Sequence, residues 1–484
     1  MSTPELPEGL PADGLIAVVK KACPTCELVA PALAQLAEDA ELPLTVFCQD
    51  DPDFPKGLYV HDDRELEASY RLAIQTVPTL LRVEHGQEVR RLEGWLRSDW
   101  QELSGVDDLA PELPPQRPGC GSRSVEPGVA ERLEARFGDR LTARRVTFGA
   151  QEDDHEALFE RGWTDGLPVV PPTPERVVRM LTGTDRAPDE IVATVPPNLV
   201  PCTVEKVAIN AVMAGCKPEY LPVALAAVEA ACSPGFGLHG LLATTLSHGP
   251  VVIVNGPITR RIEMNSGVNA MGQGNRANAT IGRALQLVVR NVGGGRPGEV
   301  DRACLGSPGK YTFCFAENEA DSPWESLAVE RGFTADASTV TLFGGEAPRV
   351  IIDQLSRTPE SLATSIAACL RTVCHPKLPM VFDALLVVSP EHARVFHDAG
   401  WDKARLRQEL IGRLMLPWED VERGAGGMAE GVPESMRQPV LPKFRPEGLL
   451  IVHAGGPAGL FSAIIGGWLN GEAGTQPTTL EVRS

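Results

Sequence analysis

Positive charge is in short supply: 45 Lys and Arg stand against 64 Asp and Glu, and the formal net charge is -19. That balance argues against a general nucleic-acid binder, because phosphate contacts need clustered cations. Long apolar runs are missing as well, and no stretch has the length of a membrane span. The opening "MSTPELPEGLPADG" lacks both the positively charged region and the apolar region of a secretory signal, so a cytoplasmic protein with no membrane partner is expected. A fixed-period repeat, a low-complexity tract, a G-x-G-x-x-G order and a P-loop lysine are all absent, and no cofactor is expected. Only one cysteine pair has C-x-x-C spacing. Zinc needs a second pair or matched histidines, so no metal is expected either.

What is present is ordinary material for folding: 484 residues, 43% hydrophobic, too long for one ordinary core. The 11 cysteines, an odd number in a chain expected to be cytoplasmic, read as thiols before they read as structural disulfides. Alternation of apolar runs with helical periodicity predicts an α/β class throughout. Three regions are expected: a small domain over residues 1–105, a linker over 106–150 with a short helix in "PGVAERLEARFG", and a large α/β substrate domain over 151–484.

In the first region "GLIAVVK" predicts a strand, and "KKACPTCELVAPALAQLAEDAELPL" puts Cys23 and Cys26 at the mouth of a helix. "LPLTVFCQ" predicts a strand, "DRELEASYRL" a helix, "TVPTLLRVEHGQEVRRLEGW" a hairpin turning at His85-Gly86, and "RSDWQELSG" a closing helix. Cys23 at a helix N-terminus has its thiolate favoured by the dipole and by free N–H groups, with Lys20 and Lys21 adding positive charge. Cys26, one turn on, shares its helix face and can resolve a mixed disulfide formed at Cys23. Cys48, inside a strand, is expected to be buried and inert.

This order, with Cys23-Pro24-Thr25-Cys26 and Val77-Pro78-Thr79, resembles a thioredoxin-like domain, in a minimal form lacking the first strand and helix. Ala22 stands where many members have tryptophan. The resemblance covers the first fifth of the chain and implies redox exchange at Cys23 and Cys26. It also implies a cis Pro78 facing them that aligns a peptide partner's backbone.

Tethering a dithiol carrier to another domain raises effective concentration, so a downstream thiol is expected as its client. Cys120, in "RPGCGSRSVEP", is flanked by glycines and a proline-rich linker, with Arg123 as a nearby cation; it is either a reactive thiol or an incidental linker cysteine. Cys-Gly-Ser-Arg is similar to the Sec-Gly-Ser-Cys element of a group of selenoproteins, with Arg123 in place of the last cysteine. Cys202, before the helix of "TVEKVAINAVMAG", is the second candidate nucleophile, whereas Cys216 at the other end of that helix reads as structural.

"GWTDGLPVVPPT" and "NAVMAGCKPEYLPV" resemble segments of a group of bacterial proteins, some fused to thioredoxin-like domains; the resemblance spans most of residues 160–470 and implies no settled reaction. A polar stretch after "GPVVIVNG" carries Arg260, Arg261, Asn265, Asn269, Gln273, Asn275, Arg276 and Asn278 ahead of a helix starting near 278. Such a stretch suits an anionic ligand, or else its amides satisfy one another. His239, between glycines, is a candidate general base, with His248 a second. "LLIVHAGGPAGLFSAIIGGW" predicts strand, Gly-rich turn and helix, with His453, Gly455, Gly456, Gly459 and Ser462 where α/β ligands bind. Residues 420–445 are expected to form an irregular excursion, and Asp165 of "GWTDGLP" is left open as a catalytic group.

These readings converge on a thiol-dependent oxidoreductase. Its Cys23/Cys26 dithiol regenerates a reactive cysteine used by the large domain on a small anionic substrate, in a reaction such as reductive carbon–heteroatom cleavage. An external thiol–disulfide reductase and a second copy of the chain are the other possible partners. Two alternatives stay open: a redox-regulated ligand-binding protein, and a handler of soft metals or metalloids.

Overall fold

The computed structural model describes residues 12–149, 151–472 and 474–483. These fall into two compact units, the first comprising the described residues up to Leu141 and Pro174–Val178, the second holding the others. Both mix helices with mixed sheets, compatible with an α/β class.

The first unit is built on β1 (Gly14–Val19), α1 (Pro24–Asp39), β2 (Leu44–Cys48), β3 (Val60–Asp62), α2 (Glu67–Arg71), β4 (Thr76–Val77), β5 (Thr79–Glu84), β6 (Gln87–Glu93), β7 (Trp95–Leu96) and α3 (Arg97–Ser104). Its sheet runs β3-β2-β1-β5-β6, with β1, β2 and β3 parallel and β5 and β6 antiparallel. Every residue of β1 is buried, as an unbroken apolar run in a central strand requires. The β5–β6 hairpin turns at His85 and Gly86, both at positive φ, the conformation whose twist suits a two-residue loop.

The segment read as a linker is packed against this sheet. Leu109 and Ala110 enter its core, β8 (Gln116–Arg117) pairs with β7, and β9 (Cys120–Gly121) pairs with β4. The helix α4 (Val129–Phe137) follows, tied by the Tyr70 hydroxyl donating to Glu134 Oε2 at 2.7 Å.

In the second unit α5 (Asp154–Glu160) is capped by Asp153. After α6 (Pro174–Leu181), whose residues Pro174–Val178 count with the first unit, β10 (Ile191–Val195) pairs with β11 (Val200–Thr203), and the helices α7 (Val204–Ala214), α8 (Leu221–Ala231) and α9 (Leu238–Ala243) follow. Then come β12 (Gly249–Asn255), α10 (Ile258–Arg261), α11 (Arg276–Asn291), β13 (Cys314–Ala316), α12 (Leu327–Glu330), β14 (Thr339–Gly345) and β15 (Arg349–Ile352). The remainder holds α13 (Pro359–Leu370), β16 (Phe382–Val388), α14 (Pro390–Asp398), α15 (Lys403–Arg413), β17 (Met415–Pro417), α16 (Trp418–Val421), β18 (Val440–Pro442), β19 (Leu449–His453), β20 (Phe461–Leu469) and β21 (Thr478–Glu481). The 420–445 excursion carries a small core of its own around Trp418, Val421, Val432 and Leu441.

The main sheet runs β13-β12-β14-β20-β16-β19 and is its own topological repeat. In each half the first strand is central, its parallel partner lies outside and its antiparallel partner lies inside: β12 with β13 and β14, β16 with β19 and β20. The halves meet at Gly345 opposite Gly467, and they exchange their last strands, β15 pairing with β20 and β21 with β14. A Cβ on Gly345 would lie 2.6 Å from Ile465 Cγ2, and one on Gly467 would lie 2.8 Å from the Asp383 carbonyl, so only glycine lets the strands cross this closely. The outer strands meet at their C-terminal ends, where the Asn318 N–H, just past β13, donates to O of His453, the last residue of β19, at 2.8 Å, and residues of all six strands share one core. The stretch from Phe461, expected as a helix, is strand β20, because its apolar residues serve the sheet interior.

No single helix among the described residues is long and apolar enough to cross a membrane. The bent pair Pro218–Ala231 and Pro234–Ala243 meets that test only jointly, across a 68° break, and α8 within it is buried at ten of its positions.

Candidate functional site

Three thiols of the first unit converge where α1 begins. Cys23 is the N-cap of α1, with Pro24 as the first helical residue, and its sulfur accepts the Cys26 N–H at 3.4 Å. Cys26 lies beneath it and accepts the Lys20 N–H at 3.4 Å. The Cys120 sulfur stands 2.8 Å from that of Cys23, against the ~2.05 Å of a formed disulfide. Pro78, preceded by a cis peptide bond, follows β4, and the Val77 carbonyl lies 3.6 Å from Cys23 Sγ.

Cys120 reaches this position because its strand is docked on β4, with Val77 opposite Cys120 and Thr76 opposite Gly121. Two glycines make the approach possible. A Cβ on Gly119 would collide with Thr76 Cγ2 and lie 2.8 Å from the Val77 carbonyl, and one on Gly94 would lie 2.8 Å from Gly119 N. Side chains then staple the strand in place. Thr25 Oγ1 donates to Pro118 O at 2.7 Å, Gln49 Nε2 to Ser122 Oγ at 2.6 Å, and Arg123 N–H to Gln49 Oε1 at 3.0 Å. The Ser122 N–H donates to Gln75 O at 2.8 Å, and Trp95 Nε1 to Pro114 O at 2.7 Å.

The three thiols differ electrostatically. Burial opposes the Cys23 thiolate, but the hydrogen bond from the Cys120 thiol and the N–H groups of Cys26 and Thr25 outweigh it and hold its pKa below the ordinary thiol value. Cys120 is pushed up, first by burial and then by its hydrogen bond and charge interaction with Cys23. Cys26 is pushed far up by burial, which Cys23 and Cys120 reinforce. Of the three thiols, Cys23 is therefore the one whose ionisation is favoured.

The lysines and Arg123 serve other bonds. Lys21 Nζ pairs with Asp51 at 2.6 Å, Lys20 Nζ donates to Gly121 O at 2.7 Å, and the Arg123 guanidinium donates to Gln49 O. None of them is among the main influences on Cys23; the shift comes from neutral donors. Cys48 is buried and its thiol raised by that burial.

Cys202 is not an activated nucleophile. It lies on β11, fully buried, one residue before the N-cap Thr203, and burial pushes its thiol up to about 12. Cys216 is likewise buried and pushed up to about 12. His239 is exposed on α9. The histidine that does meet a thiol is His248, whose Nε2 is 3.9 Å from Cys374 Sγ; burial pushes His248 down to about 4 and Cys374 up to about 12. Residues 126 apart in sequence carry no local signal of such a pair.

The polar stretch 260–278 and the Gly455–Gly456 turn do come together: Gly455 N–H donates to Ser266 O at 2.9 Å, and a Cβ on Gly456 would meet Val268 at 2.8 Å. Its amides, however, are spent on the loop itself. Asn265 bonds the Gly267 N–H and Val268 O, Asn269 bonds Gln273 O, and Asn275 caps α11 while donating to Glu263 O. Asn278 binds both Asn265 and Ala270, and Arg276 donates to Gly215 O. The asparagines of the expected ligand loop thus satisfy the turn itself, while Gln273, Arg260 and Arg261 face solvent.

Beside it lies a buried polar group of which only His453 stands out in the sequence. Glu317 accepts from Asn255 Nδ2 and the Leu327 N–H, both at 2.7 Å, with Lys403 Nζ 3.8 Å away. Both ring nitrogens of His453 are buried there without a partner. Asp165 forms a bidentate pair with Arg283 at 2.8 Å and is thereby committed to structure. Among the described residues no group of three or more His, Cys, Asp or Glu is arranged to hold a metal ion. Compared with known families and curated proteins, the chain matches no family model and no curated protein.

Proposed function

We propose that the first unit is a thioredoxin-like exchange module whose client thiol is its own Cys120. The 2.8 Å approach of Cys23 and Cys120 carries this reading. The strand order β3-β2-β1-β5-β6, the Cys-Pro-Thr-Cys helix start and the cis Pro78 support the thioredoxin-like part of it. Docking of β9 on β4 supports an internal client, because the backbone beside Pro78 that would hold an external peptide is already paired.

Cys120, half-buried, loses its proton to solvent and attacks one sulfur of a small disulfide X–X; the X–X bond breaks, the mixed disulfide Cys120–X forms and the other half leaves as the thiolate. The Cys23 thiolate attacks the Cys120 sulfur; the Cys23–Cys120 bond forms and X leaves with the bonding pair. Cys26, once deprotonated, attacks Cys23, closing the Cys23–Cys26 disulfide and releasing Cys120 as thiolate. Two electrons pass from the dithiol to X–X, and an external dithiol reductant restores Cys23 and Cys26. The enzyme is thus read as a thiol–disulfide oxidoreductase acting on a small substrate.

Mild oxidation of Cys26→Ser protein followed by peptide mass spectrometry tests this. Without its resolving thiol the cycle stops at Cys23–Cys120, which is expected as the dominant disulfide. Absence of that bond, or Cys23 joined mainly to another cysteine, would overturn the reading.

A further inference from the structure

The second unit holds a cavity of about 520 Å³ between the C-terminal half of α11, the Gly295–Gly298 turn and the loop leading to β13. That is the volume of a small-molecule site. Its wall has donors left over. The two carboxylates lining it are engaged: Asp165 is bound twice by Arg283, and Asp301 accepts from Lys310 Nζ at 2.7 Å. Gln286 Nε2 and Arg290 Nε, by contrast, are buried with no hydrogen-bond partner among the described residues. They lie four residues apart on α11, so they share one helix face. Ser307 and Tyr311 add hydroxyls to the same wall.

Arg290 is half-buried and forms no direct ion pair among the described residues; Asp165 and Glu299 offset only part of the burial that opposes its charge, so an anion seated in the cavity supplies the direct contact they do not. We infer that this cavity binds a small molecule bearing a carboxylate or phosphate, its anionic oxygens held by Gln286 and Arg290. The site is separate from the 260–278 loop and does not rest on the thiol chemistry of the first unit.

The full chain is titrated calorimetrically with inorganic phosphate and, separately, with succinate, in a buffer containing neither. At least one probe is expected to saturate; which one does separates phosphate from carboxylate recognition. Arg290→Gln is expected to weaken that probe at least tenfold. Hydrogen exchange of the unmodified protein locates the site without any variant, with probe-dependent protection expected in residues 286–311. Failure of both probes to saturate, protection elsewhere, or wild-type affinity in Arg290→Gln overturns the inference. Should Arg290→Gln not fold, Gln286→Leu is subject to the same affinity criterion.

Discussion

Substitution of Gly119 by alanine tests whether docking of the Cys120 strand makes Cys120 the partner of Cys23. The new Cβ would collide with Thr76 Cγ2 and crowd the Val77 carbonyl, so β9 must move away from β4. Overpacking of this kind costs about 1–3 kcal/mol. If that cost falls on the docked strand, at about 1.4 kcal/mol per factor of ten, the effective concentration of Cys120 at Cys23 drops between about fivefold and about a hundredfold. The assay uses the Cys26→Ser background equilibrated in glutathione buffers of graded poise, with acid quenching and quantitation of the Cys23–Cys120 peptide. Gly121→Ala is the control, two residues away on the same strand, where a Cβ meets nothing within 4 Å. The reasoning is refuted if Gly119→Ala stays within about twofold of its parent, or if the control falls as far.

Loss of the Cys120 hydrogen-bond donor in Cys120→Ala should move the Cys23 thiolate titration to higher pH, read as ultraviolet thiolate absorbance against a Cys23→Ser blank; an unmoved titration removes Cys120 as the anion's donor. Cys202→Ala should leave the oxidation cycle unchanged, and native alkylation should spare Cys202, whose thiol is pushed up to about 12. Small disulfides such as oxidised glutathione should turn over far faster than a folded protein's disulfide; equal rates would show that β9 leaves its place readily. His248 titrates at about 4 folded against 6.5 in its ordinary state, so above pH 6.5 both states are neutral and stability is full. As pH falls from 6.5 towards 4 the unfolded chain takes up a proton that the folded one refuses, removing up to about 3 kcal/mol. His248→Gln should flatten this loss in denaturant titrations across that range.

Local features were legible in the sequence. The apolar run of β1, the cysteine pair at the start of α1 and the His85-Gly86 hairpin all depend on neighbours within a few residues. The docked strap was not, because proline and glycine read as linker whether a segment is free or held. What holds residues 114–123 is a set of bonds to Thr25, Gln49, Gln75 and Trp95, reached across the fold. Asparagines in 265–278 read as ligand donors because composition does not reveal that each has a backbone partner nearby. The duplicated sheet leaves no period in the sequence because it repeats strand order rather than residues, and β20 reads as a helix because small and apolar residues suit either element. His248 with Cys374, and Gln286 and Arg290 facing the cavity, are products of tertiary packing alone.

The placement of Cys120 narrows what the site can accept. A strand entering beside Pro78 would need the backbone positions of Val77 that β9 already uses, so an external peptide and Cys120 compete for one edge. Peeling the strap away breaks at least the five side-chain and backbone bonds made by Thr25, Gln49, Ser122 and Arg123 to this segment and by Ser122 to Gln75, together with the β4–β9 pairing. At roughly 0.5–1.5 kcal/mol each, the five bonds alone amount to several kcal/mol, so the free edge is a minor state. Cys23 is buried beneath this contact, while Cys120 keeps part of its surface in solvent. On the proposed reading chemistry enters through Cys120, whose thiol is pushed up, and passes inward to Cys23, whose thiol is held down. Such an order favours small disulfides over protein clients, and it keeps Cys23 away from thiols that are not its own.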